Sequence, residues 1–268
     1  MLITSAQNPQ LKFLRTLHQK RKRDEFQKFL VEGIDEHRRL LDSSFQIEAC
    51  WYCSEIVTEN TDSASILDSL RQREGVDLVE LSTTAFSKLA YREKSGGLVS
   101  VVSQPPSRLD TLKVPENGLF LIAQGIEKPG NLGSMFRSGD AVGVDGIVVC
   151  DSVTDVFNPN TIRASIGTIF SVPFAVTKLD SLLKWMQRHS IELVGASPAA
   201  ITPYAKYDFT KKCAILIGGE HGGIPPAVLD NTDAQLSLPT KGQGNSINAA
   251  MAATVLVFEA RRQRDTTA

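Results

Sequence analysis

Residues 213–226 read CAILIGGEHGGIPP, and residues 235–253 read QLSLPTKGQGNSINAAMAA. The apolar run Cys213–Ile217 is a strand that opens into a glycine turn carrying Glu220. A second short strand then opens into a polar glycine loop that ends in a helix, with Ser246 placed as its N-cap. Strand ends that open into glycine turns and helix N-termini are where α/β proteins build sites for anionic or polar ligands. The stretch therefore predicts a parallel α/β sheet with a glycine-walled site late in the chain.

Working backward, the same pattern starts at Gly118. Leu119–Ala123 is a continuous apolar run, as expected for a strand covered on both faces of a parallel sheet. Helices are predicted over 131–141, 159–169 and 179–189, with strands at 146–150, 172–176 and 192–196. In the first of these helices Leu132, Met135, Phe136 and Gly139 share one stripe at 100° per residue. Asn131 falls at its N-cap and Arg137 lies outside the stripe. This is either a capped helix with a solvated arginine or a pair of groups that hold a phosphate at the mouth of the strand. The last helix, predicted over 247–262, is apolar nearly all round, so one side packs on its own sheet and the other calls for a second subunit.

Residues 1–104 form a separate small α/β layer unit. Asn8-Pro9 opens a helix with Leu11, Leu14 and Leu17 on one face, which runs into Lys20-Arg21-Lys22-Arg23. Residues 1–30 carry seven Lys or Arg against Asp24 and Glu25. That run is a solvated face or a phosphate-binding patch. Residues 105–117, beginning Pro105-Pro106-Ser107, are the linker. The division predicts that residues 118–268 fold without residues 1–104.

Composition narrows the function classes. The chain has 268 residues, 42% hydrophobic and 22% charged, with a formal net charge of −1. It is no polycation, so any nucleic-acid binding must come from a local patch. No apolar run approaches a membrane span and the N-terminus lacks a signal-peptide core, which gives a cytoplasmic expectation. Cys50 and Cys53 stand in an apolar run with no second ligand pair, and His18, His37, His189 and His221 are scattered. Buried thiols and no metal are expected. Neither a P-loop, a dinucleotide fingerprint after the first strand, nor Gly-x-Ser-x-Gly occurs. What is left is a polar, glycine-walled pocket whose ligand spacing alone does not name.

Three ordered segments resemble the motifs of the SpoU (TrmH) family of RNA ribose methyltransferases. Glu127 to Arg137, followed by Gly143-Val144-Asp145-Gly146-Ile147, is similar to its first motif. Ile217 to Ile224 resembles the second, and Leu238-Pro239 through Asn245 to Ala250 the third. Arg163 to Gly167 before Val172-Pro173 also fits, and the match covers residues 118–262. The N-terminal unit, with Ser5-x-x-Asn8-Pro9 and Phe29-Leu30-Val31-Glu32-Gly33, is similar to the ribosomal-protein-like RNA-binding domain that precedes many members.

The resemblance implies a SPOUT fold with a trefoil knot, an exception to the rule that chains are unknotted. It implies a homodimer and S-adenosylmethionine held by Gly218, Gly219, Glu220, Leu238 and Ile247. It also implies methyl transfer to a ribose 2′-hydroxyl of RNA, with ribosomal RNA favoured over tRNA because of the extra domain. Carried over, the catalytic residues are Asn131, Arg137, Glu220, Ser246 and Asn248. Lys20, Arg21, Lys22, Arg23, Arg137 and Arg163 are candidates for RNA contact. Glu220 is alternatively a turn-stabilising carboxylate. A base-methylating relative, and an RNA-binding protein of the same fold without activity, are the competing readings. Gly219 stands where the family usually has Asn, Ser or Ala, a departure expected to alter the pocket wall little. Thr240 and Ile247 replace the usual Met and Leu.

Overall fold

A computed structural model of the chain describes residues 2–91, 95–243 and 246–267. Gly244 and Asn245 of the third motif lie outside them. Two compact units are present, one of residues 1–105 with 157–171, the other of residues 106–156 with 172–268.

The first unit holds strands β1 (Leu2–Ile3), β2 (Lys28–Glu32), β3 (Ile47–Tyr52), β4 (Asp77–Leu81) and β5 (Leu98–Ser103). Its first six helices are α1 (Pro9–Thr16), α2 (Lys20–Phe26), α3 (Ile34–Leu41), α4 (Ser54–Val57), α5 (Thr61–Gln72) and α6 (Thr83–Leu89). The sheet order is β1-β4-β3-β5-β2, with β5 antiparallel to both its neighbours. Asn8 caps α1 by accepting the Gln10 N–H at 2.8 Å, and Pro9 needs no partner at the first helical position. Leu11, Leu14 and Leu17 pack with Leu30, Trp51, Phe86, Leu89 and Val101 on one side of the sheet.

The basic run does not continue α1 as expected. It forms the separate helix α2, because Arg23 turns inward and donates to the carbonyls of Leu17 at 2.9 Å and His18 at 2.8 Å. All four cysteines are buried free thiols, and burial pushes Cys50 up to about 12.

Residues 157–171 belong to this first unit, although the sequence division gives them to the C-terminal domain. Phe157 stacks on Phe29 at 4.4 Å between centroids, and Phe170 meets Phe45 edge to face at 5.2 Å. The predicted helix 159–169 is shorter: α7 (Pro159–Ala164) stops where Ile166 and Gly167 take positive φ, and a 3-10 turn follows at Thr168–Phe170. A Cβ on Gly167 would lie 2.9 Å from the Glu36 Cα, so glycine lets this turn press onto α3.

The second unit contains a seven-stranded, wholly parallel sheet. Its strands are β6 (Leu119–Gln124), β7 (Gly146–Cys150), β8 (Phe174–Thr177), β9 (Glu192–Ala196), β10 (Thr202–Pro203), β11 (Cys213–Ile217) and β12 (Ala234–Ser237), in the order β10-β12-β9-β11-β6-β7-β8. Its α-helices among the described residues are α8 (Pro129–Val142), α9 (Leu179–His189), α10 (Pro226–Leu229) and α11 (Ala249–Thr267).

Alternate residues of the central strands serve opposite faces. Phe120, Ile122, Val148, Ala214 and Leu216 pack with Trp185, Met186 and Val228 from α9 and α10. The other face is covered by α8 and α11, which also pack on each other. A Cβ on Gly139 of α8 would lie 2.9 Å from the Ile147 Cδ1, so the glycine lets the helix lie close on that side chain. Arg261 of α11 donates to the Val142 carbonyl at 2.7 Å, and Arg264 to that of Phe209 at 2.8 Å. These bonds anchor the C-terminal third of the helix.

Candidate active site

Because the strands are parallel, the carboxyl ends of β9, β11 and β12 share one edge, the edge where such sheets bind ligands. A pocket of about 540 Å³ opens there. Its walls include Ile217–Gly223 after β11, Leu238 after β12, Ser246–Ala249 leading into α11, and Ser197 and Pro198 after β9. Gly218, Gly219, Glu220, Leu238, Ser246, Ile247 and Asn248 thus line one cavity. Ser197 and Pro198 are pocket residues that the motif reading missed. The signal for them was their place one step beyond a strand adjacent to β11.

The glycine loop folds back on itself. Gly223 donates its N–H to the Gly219 carbonyl at 3.0 Å. A Cβ on Gly218 would overlap the backbone of Gly223 and Ile224, so no other residue fits that wall. At Gly219 a Cβ would lie 2.7 Å from the Gly125 carbonyl oxygen. This corrects the expectation for that departure: backbone of the Gly125–Gly130 loop stands where a side chain would go, so the glycine sets how closely the two loops approach.

Glu220 ties these loops together. Its carboxylate accepts the N–H groups of Glu127 at 3.0 Å and Lys128 at 3.2 Å, and the side-chain amide of Asn131. Burial pushes the Glu220 carboxyl upward, but the Glu127 N–H and the Asn131 amide outweigh it, and the group sits below the usual carboxylate range. With three donors on two oxygens it is an ionised staple. Next to it His221 Nδ1 meets Glu127 Oε2 at 2.8 Å.

Asn131 is not the N-cap of α8. That helix starts at Pro129 with Lys128 at the cap, and Asn131 lies inside the first turn, buried. Its amide donates to Glu220 while its Oδ1 accepts from the Asn248 Nδ2 at 3.0 Å. Asn248 in turn accepts the N–H of Ala250 at 2.9 Å and of Met251 at 3.3 Å, which makes it the cap of α11 in place of Ser246. Three of the five residues carried over as catalytic are therefore one hydrogen-bonded chain, and Ser246 lines the pocket beside it.

Arg137 is exposed on α8, six residues beyond Asn131, and is not part of the pocket wall. It makes no ion pair among the described residues. A guanidinium in that state is available to an outside anion. Arg163 is exposed on α7, in the first unit. Of the basic run, Lys20 pairs with Asp24 and Lys22 with Glu25, while Arg21 is exposed. Arg23 is 1% exposed and cannot face an RNA, which corrects its assignment as a contact. No group of three or more metal-ligating side chains occurs among the described residues.

The SpoU rRNA methylase family model matches residues 118–258, which is more than half of the chain. The chain belongs to the SpoU rRNA methylase family. A model described as the MRM3-like substrate binding domain matches residues 8–100. Among curated SpoU-type relatives, the Bacillus subtilis 23S rRNA (guanosine(2553)-2′-O)-methyltransferase RlmP is 30% identical over 259 residues, 97% of this chain and 98% of that one. A crystal structure of an AdoMet-bound rRNA methyltransferase from Sinorhizobium meliloti is 28% identical. It superposes with a TM-score of 0.87 over 98% of this chain and 97% of that one. The SpoU methyltransferase AviRb from Streptomyces viridochromogenes, solved in complex with AdoMet, is 27% identical. Its TM-score is 0.87, over 97% of this chain and 100% of that one.

Proposed function

We propose that this chain is an S-adenosylmethionine-dependent methyltransferase that acts on a ribose 2′-hydroxyl of ribosomal RNA in the cytoplasm. The observation that carries the reading is the pocket, in which all three motif segments meet: Glu220 is bound to Asn131, and Asn131 to Asn248, around walls made by Gly218, Leu238 and Ile247. Its volume, about 540 Å³, is in the range of small-molecule sites, and a lining that mixes apolar Ile217, Leu238 and Ile247 with Glu220, Ser246 and Asn248 suits a ligand with polar groups. Ribosomal RNA is favoured over tRNA because RlmP, which matches over 97% of this chain, is named for 23S rRNA.

The cofactor would supply an electrophilic methyl group on a sulfonium. The protein's part is to place the hydroxyl. Arg137 grips the phosphate next to the target ribose, and it stays charged, so it does not take the hydroxyl proton. Glu220 and Asn131 hold the two loops at the spacing the pocket needs. Ser246 offers a hydroxyl on the wall beside them.

The reading also carries a homodimer and the trefoil knot. Exposed Ile247, Met251, Val255 and Phe258, at positions 0, 4, 8 and 11 along the approach to and length of α11, support a dimer face.

The deciding experiment incubates the protein with ribosomal RNA and methyl-labelled cofactor, then digests the RNA to nucleosides. Label in a 2′-O-methylated nucleoside is expected. Label on a base, or none, would overturn the reading.

A further inference from the structure

Phe13 on α1 and Phe26 on α2 meet edge to face, with ring centroids 4.8 Å apart at 85°. Their exposures are 36% and 38%, although the same helices bury Leu11, Leu14 and Arg23. Rings that served only to lock two helices would be covered, as those leucines are. The Lys22 ammonium stands 5.4 Å from the Phe26 centroid. Lys12, Arg15 and Arg21 are exposed on the same two helices and make no ion pair among the described residues. Free cations beside an open aromatic pair, on a chain of formal net charge −1, are what single-stranded RNA selects for: phosphates take the cations and an unstacked base takes a ring face. A duplex keeps its base faces covered and gains nothing from the rings.

We propose that the Phe13–Phe26 pair is a stacking platform for an unpaired base of the RNA substrate, with Lys12, Arg15 and Arg21 holding the adjoining phosphates, while Lys22 stays with Glu25 and the Phe26 ring. This rests on the RNA reading given above and adds to it that the bound region includes an unpaired nucleotide.

The test compares the full-length protein with a Phe13→Leu/Phe26→Leu variant, which keeps apolar packing and removes the π faces. Binding is measured by fluorescence anisotropy on a single-stranded oligouridine and on a blunt RNA duplex. Single-strand affinity is expected to fall by about fivefold or more. Duplex affinity and the salt dependence should hold, because no cation has been removed. In a Phe26→Trp protein, oligouridine should quench the indole emission, and this readout decides the matter if the double variant melts early. Equal single-strand affinity, equal losses on both probes, no quenching, or a wild-type protein that binds no single strand would each overturn the platform. Methyl transfer by the wild-type protein is scored separately. RNA binding through the rings without transfer would sink the methyltransferase reading alone, and transfer with unimpaired leucine-variant binding would sink the platform alone.

Discussion

Asn131 and Glu220 are 89 residues apart in the chain and directly hydrogen-bonded, one from the first turn of α8 and the other from the turn after β11. That bond turns two loops at neighbouring strand ends into one wall. Its consequences can be measured.

Glu220→Gln replaces an acceptor of three donors with a group that itself carries two, so at least one bond is lost and an N–H faces a donor. Charge-assisted bonds contribute about 1.5–3 kcal/mol each, so cofactor affinity should weaken roughly tenfold or more by calorimetry. The carboxyl lies below its usual range when folded, so its contribution is complete above that range and fades as pH falls through the lowered value. Unchanged affinity in the variant would show that the loops hold without the staple.

Gly219→Ala should be harmful even though alanine is common at this place in the family. Its methyl would have to push back the Gly125 carbonyl, a backbone atom, from 2.7 Å. Overpacking of this kind costs about 1–3 kcal/mol, seen as a lower melting temperature and weaker cofactor binding. Gly130→Ala is the control, since nothing lies within 4 Å of a Cβ there.

Arg137→Ala should lower the rate of methyl transfer by roughly 10²-fold or more while the cofactor dissociation constant stays within about twofold, because the side chain lies off the pocket wall. Arg137→Lys should recover only part of the rate, as an ammonium cannot grip a phosphate with two parallel bonds. Full activity in the alanine variant would refute the role.

His37 gives the first unit a pH-dependent stability. The ring is fully buried between the Gly33 carbonyl at 2.7 Å and the Ser100 hydroxyl at 2.9 Å, and burial pushes it from 6.5 down to about 4. The unfolded chain therefore binds a proton that the folded one refuses. Stability is complete above pH 6.5, falls by about 3 kcal/mol between 6.5 and 4, and is level below that. Urea titrations followed by Trp51 fluorescence, with Trp185→Phe to silence the second unit, should show this slope, and His37→Gln should flatten it.

Met251→Asp with Phe258→Asp should convert a dimer to a monomer, since these side chains are 63% and 49% exposed on α11. Light scattering should fall from twice 29.2 kDa to that mass. A wild-type protein that is already monomeric at micromolar concentration would remove the dimer from the reading.

Deleting residues 1–104 is a poor test of RNA binding. It would strip Phe157 and Phe170 of their partners Phe29 and Phe45 and expose an apolar surface on what remains.

The local chemistry of the chain determined most of its elements. Leu119–Ala123 and Cys213–Ile217 had to be buried parallel strands, because a continuous apolar run has no solvent face. The order of motifs from Glu127 to Ala250 determined the family. Tertiary structure decided what each motif residue does. Asn131, an apparent helix cap by spacing, is instead the middle of the Glu220–Asn131–Asn248 chain, and Asn248 takes the capping role that Ser246 was given. Arg23, one of four similar cations in sequence, is buried because two carbonyls at the end of α1 needed a donor. Residues 157–171 join the first unit because Phe157 and Phe170 find their aromatic partners there. Such outcomes depend on which distant group is left unsatisfied or uncovered, and periodicity along a chain carries no record of that.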